Sequence, residues 1–280
     1  MKKILVTTDL SVKSKAALKF AIQLASQGNY SLTFFHSYRI LRPTSWNEEV
    51  FRSFEIREVT KLSRKLSNLV QSVYKSLKIL NKEPECVIES GVSAYRNIKD
   101  YASEHGYNLI CMSRKGAGNT SKLFGSIISK LITKSTIPVI AVPENYKIAP
   151  IDSITFASDL LNLDNELEKV LDFTQSLGAK VELLHIQPVV HYVFDGFEFD
   201  RIRHKLDEHQ IAAHFERSDF EQSLVGNINT IIRQFKPSML IMFTDQDRDL
   251  FEKIFMPSTS VDFYFISTVP LLVFSKPPAR

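Results

Sequence analysis

Leu109-Ile110-Cys111-Met112-Ser113 closes one apolar run, and a glycine-containing loop leads through Gly125-Ser126 to Ile137-Pro138-Val139-Ile140-Ala141-Val142. Leu240-Ile241-Met242-Phe243-Thr244 closes a matching run, which leads past Pro257-Ser258 to Val269-Pro270-Leu271-Leu272-Val273-Phe274. The openings of the two halves agree as well. Ile4-Leu5-Val6-Thr7-Thr8-Asp9 pairs with Ile154-Thr155-Phe156-Ala157-Ser158-Asp159, and Leu32-Thr33-Phe34-Phe35-His36 with Val181-Glu182-Leu183-Leu184-His185. Landmarks in one order, at offsets that drift only with loop length, read as a duplication. The period is far too long for a solenoid and suits two domains of common size. Asn145 to Pro150 is the linker, which puts the domains at 1–146 and 151–280.

Within each half, short apolar runs alternate with segments of helical period. Ser11 stands where a helix N-cap belongs, and Ala17, Phe20, Ala21, Leu24 and Ala25 recur at helical spacing up to a stop at Gly28. A helical pattern rich in Arg and Lys runs from about Glu48 to Leu80 and reads as a solvated face. Cys86 to Glu89 is a strand, Gly91 a turn, and Tyr95, Ile98, Tyr101 and Ala102 a helix that ends near Gly106. A last helix follows Gly125. The second half has a helix from Leu163 to Gly178, a connection from Val189 to Gln210, a strand near Ile211 to Phe215 and a helix near Asn227 to Phe235. Strands alternating with helices predict a parallel sheet covered on both faces, and right-handed crossovers narrow this to a doubly wound α/β fold. Each half is expected to hold a five-stranded parallel sheet.

At 280 residues and 44% hydrophobic, the chain can bury two ordinary cores. A net charge of +4 is mild and lacks the basic stripe of a nucleic-acid binder. No apolar run approaches the roughly 20 residues of a membrane span, and Met1-Lys2-Lys3 enters a strand at once, unlike a signal peptide. Cys86 and Cys111 are the only cysteines and read as structural thiols in a reducing cytoplasm.

In an open parallel sheet, ligands bind outside the carboxyl ends of the strands, where crossovers part to opposite faces. Asp9, His36 or Ser37, and Met112 to Gly116 lie at such ends. Gly125-Ser126 is expected to open a helix whose unpaired N–H groups bind phosphate, and Gly116 and Gly118 allow close backbone approach. The bland alternative is that these glycines serve turns and packing.

With these residues on the page, the whole chain resembles a tandem universal stress protein, two copies of the UspA-type domain. The resemblance is carried by Ile4 to Ser11, by Phe34-Phe35-His36, and by Met112 through Ser126 with Ile137 to Val142. It implies a stress-response protein that binds ATP or a related nucleotide, with Mg as an accompanying ion. Nucleotide-binding members carry Gly-x2-Gly-x9-Gly-Ser/Thr, whereas this chain has Ser113-x2-Gly116-x8-Gly125-Ser126. By position, Asp9 meets the adenosine, Ser37 and Met112 lie near the nucleoside, and Gly116, Gly125 and Ser126 hold phosphates. Ser113 costs roughly 1–2 kcal/mol if its φ is positive, and one lost residue moves backbone by up to about 3.5 Å. Thr244-x2-Asp247-x9-Pro257-Ser258 keeps the length but no glycine, and Asp245, Asp247 and Asp249 would repel phosphate. Pro257 also lacks an N–H. Nucleotide is therefore expected in the first half only, bound weakly or in an altered way, with Asp159 acting as a helix cap. The family also implies a pseudo-dimer within the chain, fifth strand near fifth strand.

The seven histidines do not group at metal spacing, and His36 and His185 occupy equivalent strand ends. No nucleophile elbow or Walker signature appears, so no catalytic residue is nominated. The competing readings are a scaffold that presents the same fold to a protein partner and a slow ATPase. Neither membrane nor nucleic acid is an expected partner.

Overall fold

The computed structural model describes residues 1–80, 83–114, 121–187, 196–217, 230, 232–244 and 269–275. The chain divides into two compact units, Met1–Ile148 and Ala149–Arg280.

In the first unit, β1 (Lys2–Thr7), β2 (Tyr30–Tyr38), β3 (Glu85–Ser90), β4 (Leu109–Ser113) and β5 (Val139–Val142) form a sheet of order β3-β2-β1-β4-β5. Every neighbouring pair is parallel. The helices are α1 (Lys15–Gln27), α2 (Glu48–Ser76), α3 (Ala94–Glu104) and α4 (Ser121–Lys134). Apolar runs become central strands because both faces are covered: Ile4, Leu5, Val6, Phe34, Phe35, Ile110 and Ile140 are each 0% exposed. Burying a phenylalanine or isoleucine of this kind contributes about 1.5–3 kcal/mol.

The second unit has β6 (Ser153–Ala157), α5 (Leu163–Thr174), β7 (Lys180–Gln187), α6 (Gly196–Glu208), β8 (Ala212–Arg217), β9 (Met239–Thr244) and β10 (Leu271–Ser275). Its strands order as β8-β7-β6-β9-β10, again all parallel. The expected doubly wound α/β architecture is therefore present in each unit.

Several local expectations change. Ser11 does not cap α1, which starts at Lys15 with Ser14 in the cap position. Instead the Ser11 hydroxyl accepts from the Ser14 N–H at 3.3 Å, and Ser14 Oγ donates to the Ser11 carbonyl at 2.8 Å. These local bonds give the backbone an alternative to an earlier helical turn. The long helix stops at Ser76, short of Leu80, because Lys78 takes a left-handed φ of 56°. The connection from Val189 to Gln210 contains α6. Of the helix expected near Asn227 to Phe235, the described residues, 230 and 232–235, are helical.

Asp159 does not cap α5 either. Asn162 holds the cap position, and Asp159 Oδ1 accepts from the Leu161 N–H at 3.0 Å.

Candidate functional site

The order β3-β2-β1-β4-β5 reverses direction between β1 and β4, so the crossovers part at their carboxyl ends. A shallow cleft, open to solvent, lies there. Asp9, Ser37, Met112 and Ser113 all line it. Asp9 is exposed and Ser37 half-buried, while Met112 and Ser113 are buried. Alternation along β2 aims Phe35 and Ser37 into the cleft and sends His36 to the other face.

The turn after β1 shapes the cleft's floor. Thr8 N–H donates to the Phe35 carbonyl at 2.9 Å, which extends the β1–β2 ladder by one bond. Leu10 has a φ of 63°, and its N–H donates to Thr8 Oγ1 at 3.0 Å. Asp9 Oδ1 accepts from the Ser11 N–H at 3.0 Å. Because Ser14 Oγ gives its proton to the Ser11 carbonyl, Thr8 is the donor in the 2.6 Å Thr8–Ser14 hydroxyl pair. His36 Nδ1 lies 2.8 Å from the Thr8 carbonyl. A carbonyl only accepts, so that nitrogen carries the hydrogen. Burial lowers the His36 pKa, against the Thr8 bond and the Asp9 charge, which pull it upward.

Ser113 ends β4, and its Oγ donates to the Lys13 carbonyl at 3.1 Å. Its φ is not positive, so the strain expected of a non-glycine residue there does not arise. Arg114, the next residue, gives its N–H to the Val142 carbonyl at 2.9 Å. Burial lowers its guanidinium to about 9, so it stays a cation at neutral pH.

The start of α4 is the part that differs most from expectation. Gly116 and Gly118 lie outside the described residues. Gly125 and Ser126 do not open a helix: α4 begins at Ser121, and Gly125 falls in its second turn. The unpaired N–H groups of a helix belong to its first turn, which here precedes Gly125. Ser121-Lys122-Leu123-Phe124 contains no residue that breaks a helix, so a turn forms ahead of the glycine.

Sequence reasoning missed several residues of the cleft. Thr8 and Ser14 bound its floor, and Ala94, Ile98 and Ile127 form the wall supplied by α3 and α4. It also missed Asn97, whose Nδ2 donates to Ser37 Oγ at 2.9 Å. The signal was faint, since a polar residue on an amphipathic helix reads as surface.

The second unit repeats the wiring of the turn. Ser158 N–H donates to the Leu184 carbonyl at 3.0 Å, and Leu160, with a φ of 68°, donates to Ser158 Oγ at 2.9 Å. His185 Nδ1 donates to the Ser158 carbonyl at 2.9 Å, and Ser158 Oγ donates to the Glu166 carboxylate. The walls are different. Thr7 pairs with Phe35 and Met112, and Ala157 with Leu184 and Met242. By that register Ile186 replaces Ser37, and Phe243 replaces Ser113. The sequence pairing of Thr244 with Ser113 was therefore one residue out of phase. Phe243 is buried and stacks on Phe274 at 5.3 Å between centroids. The acidic segment from Asp245 to Asp249, with Pro257 and Ser258, lies outside the described residues.

Among the described residues, no group of three or more His, Cys, Asp or Glu could hold a metal ion, and no helix is long and apolar enough to cross a membrane.

The model of the universal stress protein family matches residues 1–143. Among solved structures, a universal stress protein from Archaeoglobus fulgidus DSM 4304 is 16% identical, with 98% of each chain covered and a TM-score of 0.65. A protein of Pseudomonas aeruginosa PAO1, described as functionally unknown, is 14% identical over 98% of this chain and 92% of its own, with a TM-score of 0.63. A universal stress protein solved in complex with cAMP is 18% identical over 51% of this chain and 98% of its own, with a TM-score of 0.39. Comparison with the curated proteins gave no match.

Proposed function

Since the chain belongs to the universal stress protein family, we propose that it is a cytoplasmic stress-response protein whose first unit binds ATP or a related nucleotide weakly. The second unit is a diverged copy of the first with a structural or regulatory role. The observation that carries this reading is the convergence of Asp9, Ser37, Met112 and Ser113 on one cleft at the switch point of the sheet. Asp9, Ser37, Met112 and Ser113, at the ends of β1, β2 and β4, would hold the nucleoside.

Confinement to the first unit is supported by Ile186 and Phe243. A buried, stacked phenylalanine stands where the cleft of the first unit has a serine, and an isoleucine removes the other hydroxyl. The repeated turn at Thr8 and Ser158 supports common descent of the two units, which share strand order and hydrogen-bond wiring.

One observation favours a second reading, a scaffold that binds a protein partner and no nucleotide. α4 begins ahead of Gly125, so the glycine is not at the helix end where phosphate binds best. Titration calorimetry with Mg-ATP separates the two. Weak, saturable binding supports the nucleotide reading, sub-micromolar affinity overturns the claim of weakness, and absence of heat at millimolar ligand favours the scaffold. Product formation over hours would add a slow ATPase.

A further inference from the structure

The cleft wall contains a polar pair that the family resemblance does not account for. Ser37 ends the cleft-facing side of β2 and lines the cavity. Asn97, in the first turn of α3, donates its Nδ2 to Ser37 Oγ at 2.9 Å. The carboxamide has room on its other side because residue 91 is glycine. A Cβ at Gly91 would overlap its atoms, so the glycine provides the space in which Asn97 sits. Gly91 is itself fixed by its N–H on the Tyr38 carbonyl at 3.0 Å.

A serine hydroxyl has one proton and two lone pairs, while an amide nitrogen only donates. With Asn97 donating, the lone pair that faces α3 is used and the Ser37 proton is turned elsewhere. We infer that Asn97 is a positioning residue that makes Ser37 a hydrogen-bond donor toward the cleft, selecting a ligand whose heterocycle presents a ring nitrogen or carbonyl oxygen at that point. This inference rests on the nucleotide reading of the cleft. The second unit has lost the hydroxyl, with Ile186 at the Ser37 position, which agrees with a role for the pair in ligand recognition.

Replacing Asn97 by aspartate keeps the shape and reverses the bond, because a carboxylate only accepts and draws the Ser37 proton to itself. The test is calorimetry of wild type, S37A, N97D and the S37A/N97D double variant with adenosine, which carries no phosphate for the new charge to repel. One neutral hydrogen bond corresponds to a loss of about fivefold. S37A and N97D are each expected to weaken adenosine binding by about that factor, with the double variant no weaker than either single one, because both remove one donor. A merely structural Asn97 would give additive losses, and additivity overturns the inference. So does N97D binding like wild type while S37A is weakened. If N97D melts below the assay temperature, Asn97→Ala replaces it. That variant frees the hydroxyl to rotate, and a loss of about twofold is expected, while unchanged affinity overturns the proposal. Wild type that binds neither adenosine nor ATP overturns the nucleotide reading and this inference together, whereas wild-type binding with an unaffected N97D overturns the inference alone.

Discussion

His36 donates through Nδ1 to the backbone carbonyl of Thr8 at 2.8 Å, tying the end of β2 to the turn that forms the cleft floor. The imidazole is buried, and burial lowers its pKa below the ordinary histidine value. The unfolded chain therefore takes up the proton first as pH falls. Stability from the neutral ring is complete above about pH 6.5 and is lost as pH drops through the depressed folded pKa. Urea midpoints at pH 7.5 and pH 5 should fall more in wild type than in His36→Asn. Equal slopes would show that the ring's protonation is not coupled to folding.

Leu10 and Leu160 both adopt left-handed backbone, at φ 63° and 68°, a conformation that costs a non-glycine residue roughly 1–2 kcal/mol. Leu160 is 8% exposed, whereas Leu10 is only half-buried. Glycine at position 10 should be close to neutral, since relief of strain offsets lost contacts and the added freedom of the unfolded chain. Glycine at position 160 should destabilise by about 2 kcal/mol, because a buried leucine is removed. Chemical denaturation checks the ranking, and a costlier L10G would contradict it.

Gly125 in the second turn of α4 gives opposite expectations for stability and binding. Valine there has better helix propensity than glycine, so G125V should not lower the melting temperature. On the nucleotide reading it should still abolish ATP binding, while Pro257→Ala should leave binding unchanged. Asp9→Ala removes the 3.0 Å bond to the Ser11 N–H and should cost about 1 kcal/mol of stability along with nucleotide affinity. Equal loss of affinity from changes in both units would overturn the single-site reading.

Neither cysteine is a reactive thiol in this fold. Burial pushes Cys86 up to about 11, with Glu85 adding to it, and pushes Cys111 up further. Both are free thiols, Cys86 half-buried and Cys111 fully buried. Alkylation at pH 8 should be far slower than in denaturant, with Cys86 modified before Cys111. Rapid native labelling of Cys111 would mean that α1 lifts from β4, since its Sγ lies 3.8 Å from the Ala17 carbonyl.

The doubly wound plan was legible because central strands buried on both faces are nearly continuous apolar runs, as at Val139–Val142. Features decided by single hydrogen bonds were not. The start of α1 depends on Ser11 and Ser14 bonding each other's backbone. The phase of β9 depends on Ser238 N–H meeting the Ser153 carbonyl at 2.8 Å, and Met239 is as apolar as Leu240, so hydrophobicity could not fix it. Asp9, Ser37, Met112 and Ser113 were nominated through strand-end logic and family resemblance together. Asn97 escaped both, because its role comes from Gly91 and Ser37, which only the packing of α3 on β2 brings beside it.

α2 runs for 29 residues, about 43 Å at 1.5 Å per residue, yet its buried positions are Leu66, Val70, Val73 and Tyr74. Its leading turns are held by the Asn47 cap at 2.8 Å, the edge-on contact of Trp46 with Phe54, a side-chain hydrogen bond between Glu55 and Tyr38 and their own backbone bonds. Such a segment opens at little free-energy cost while the sheet stays closed. Amides from Phe51 to Lys61 should exchange with deuterium well ahead of those beyond Leu66, and within α2 trypsin should nick Arg52, Arg57 or Lys61 before Lys75.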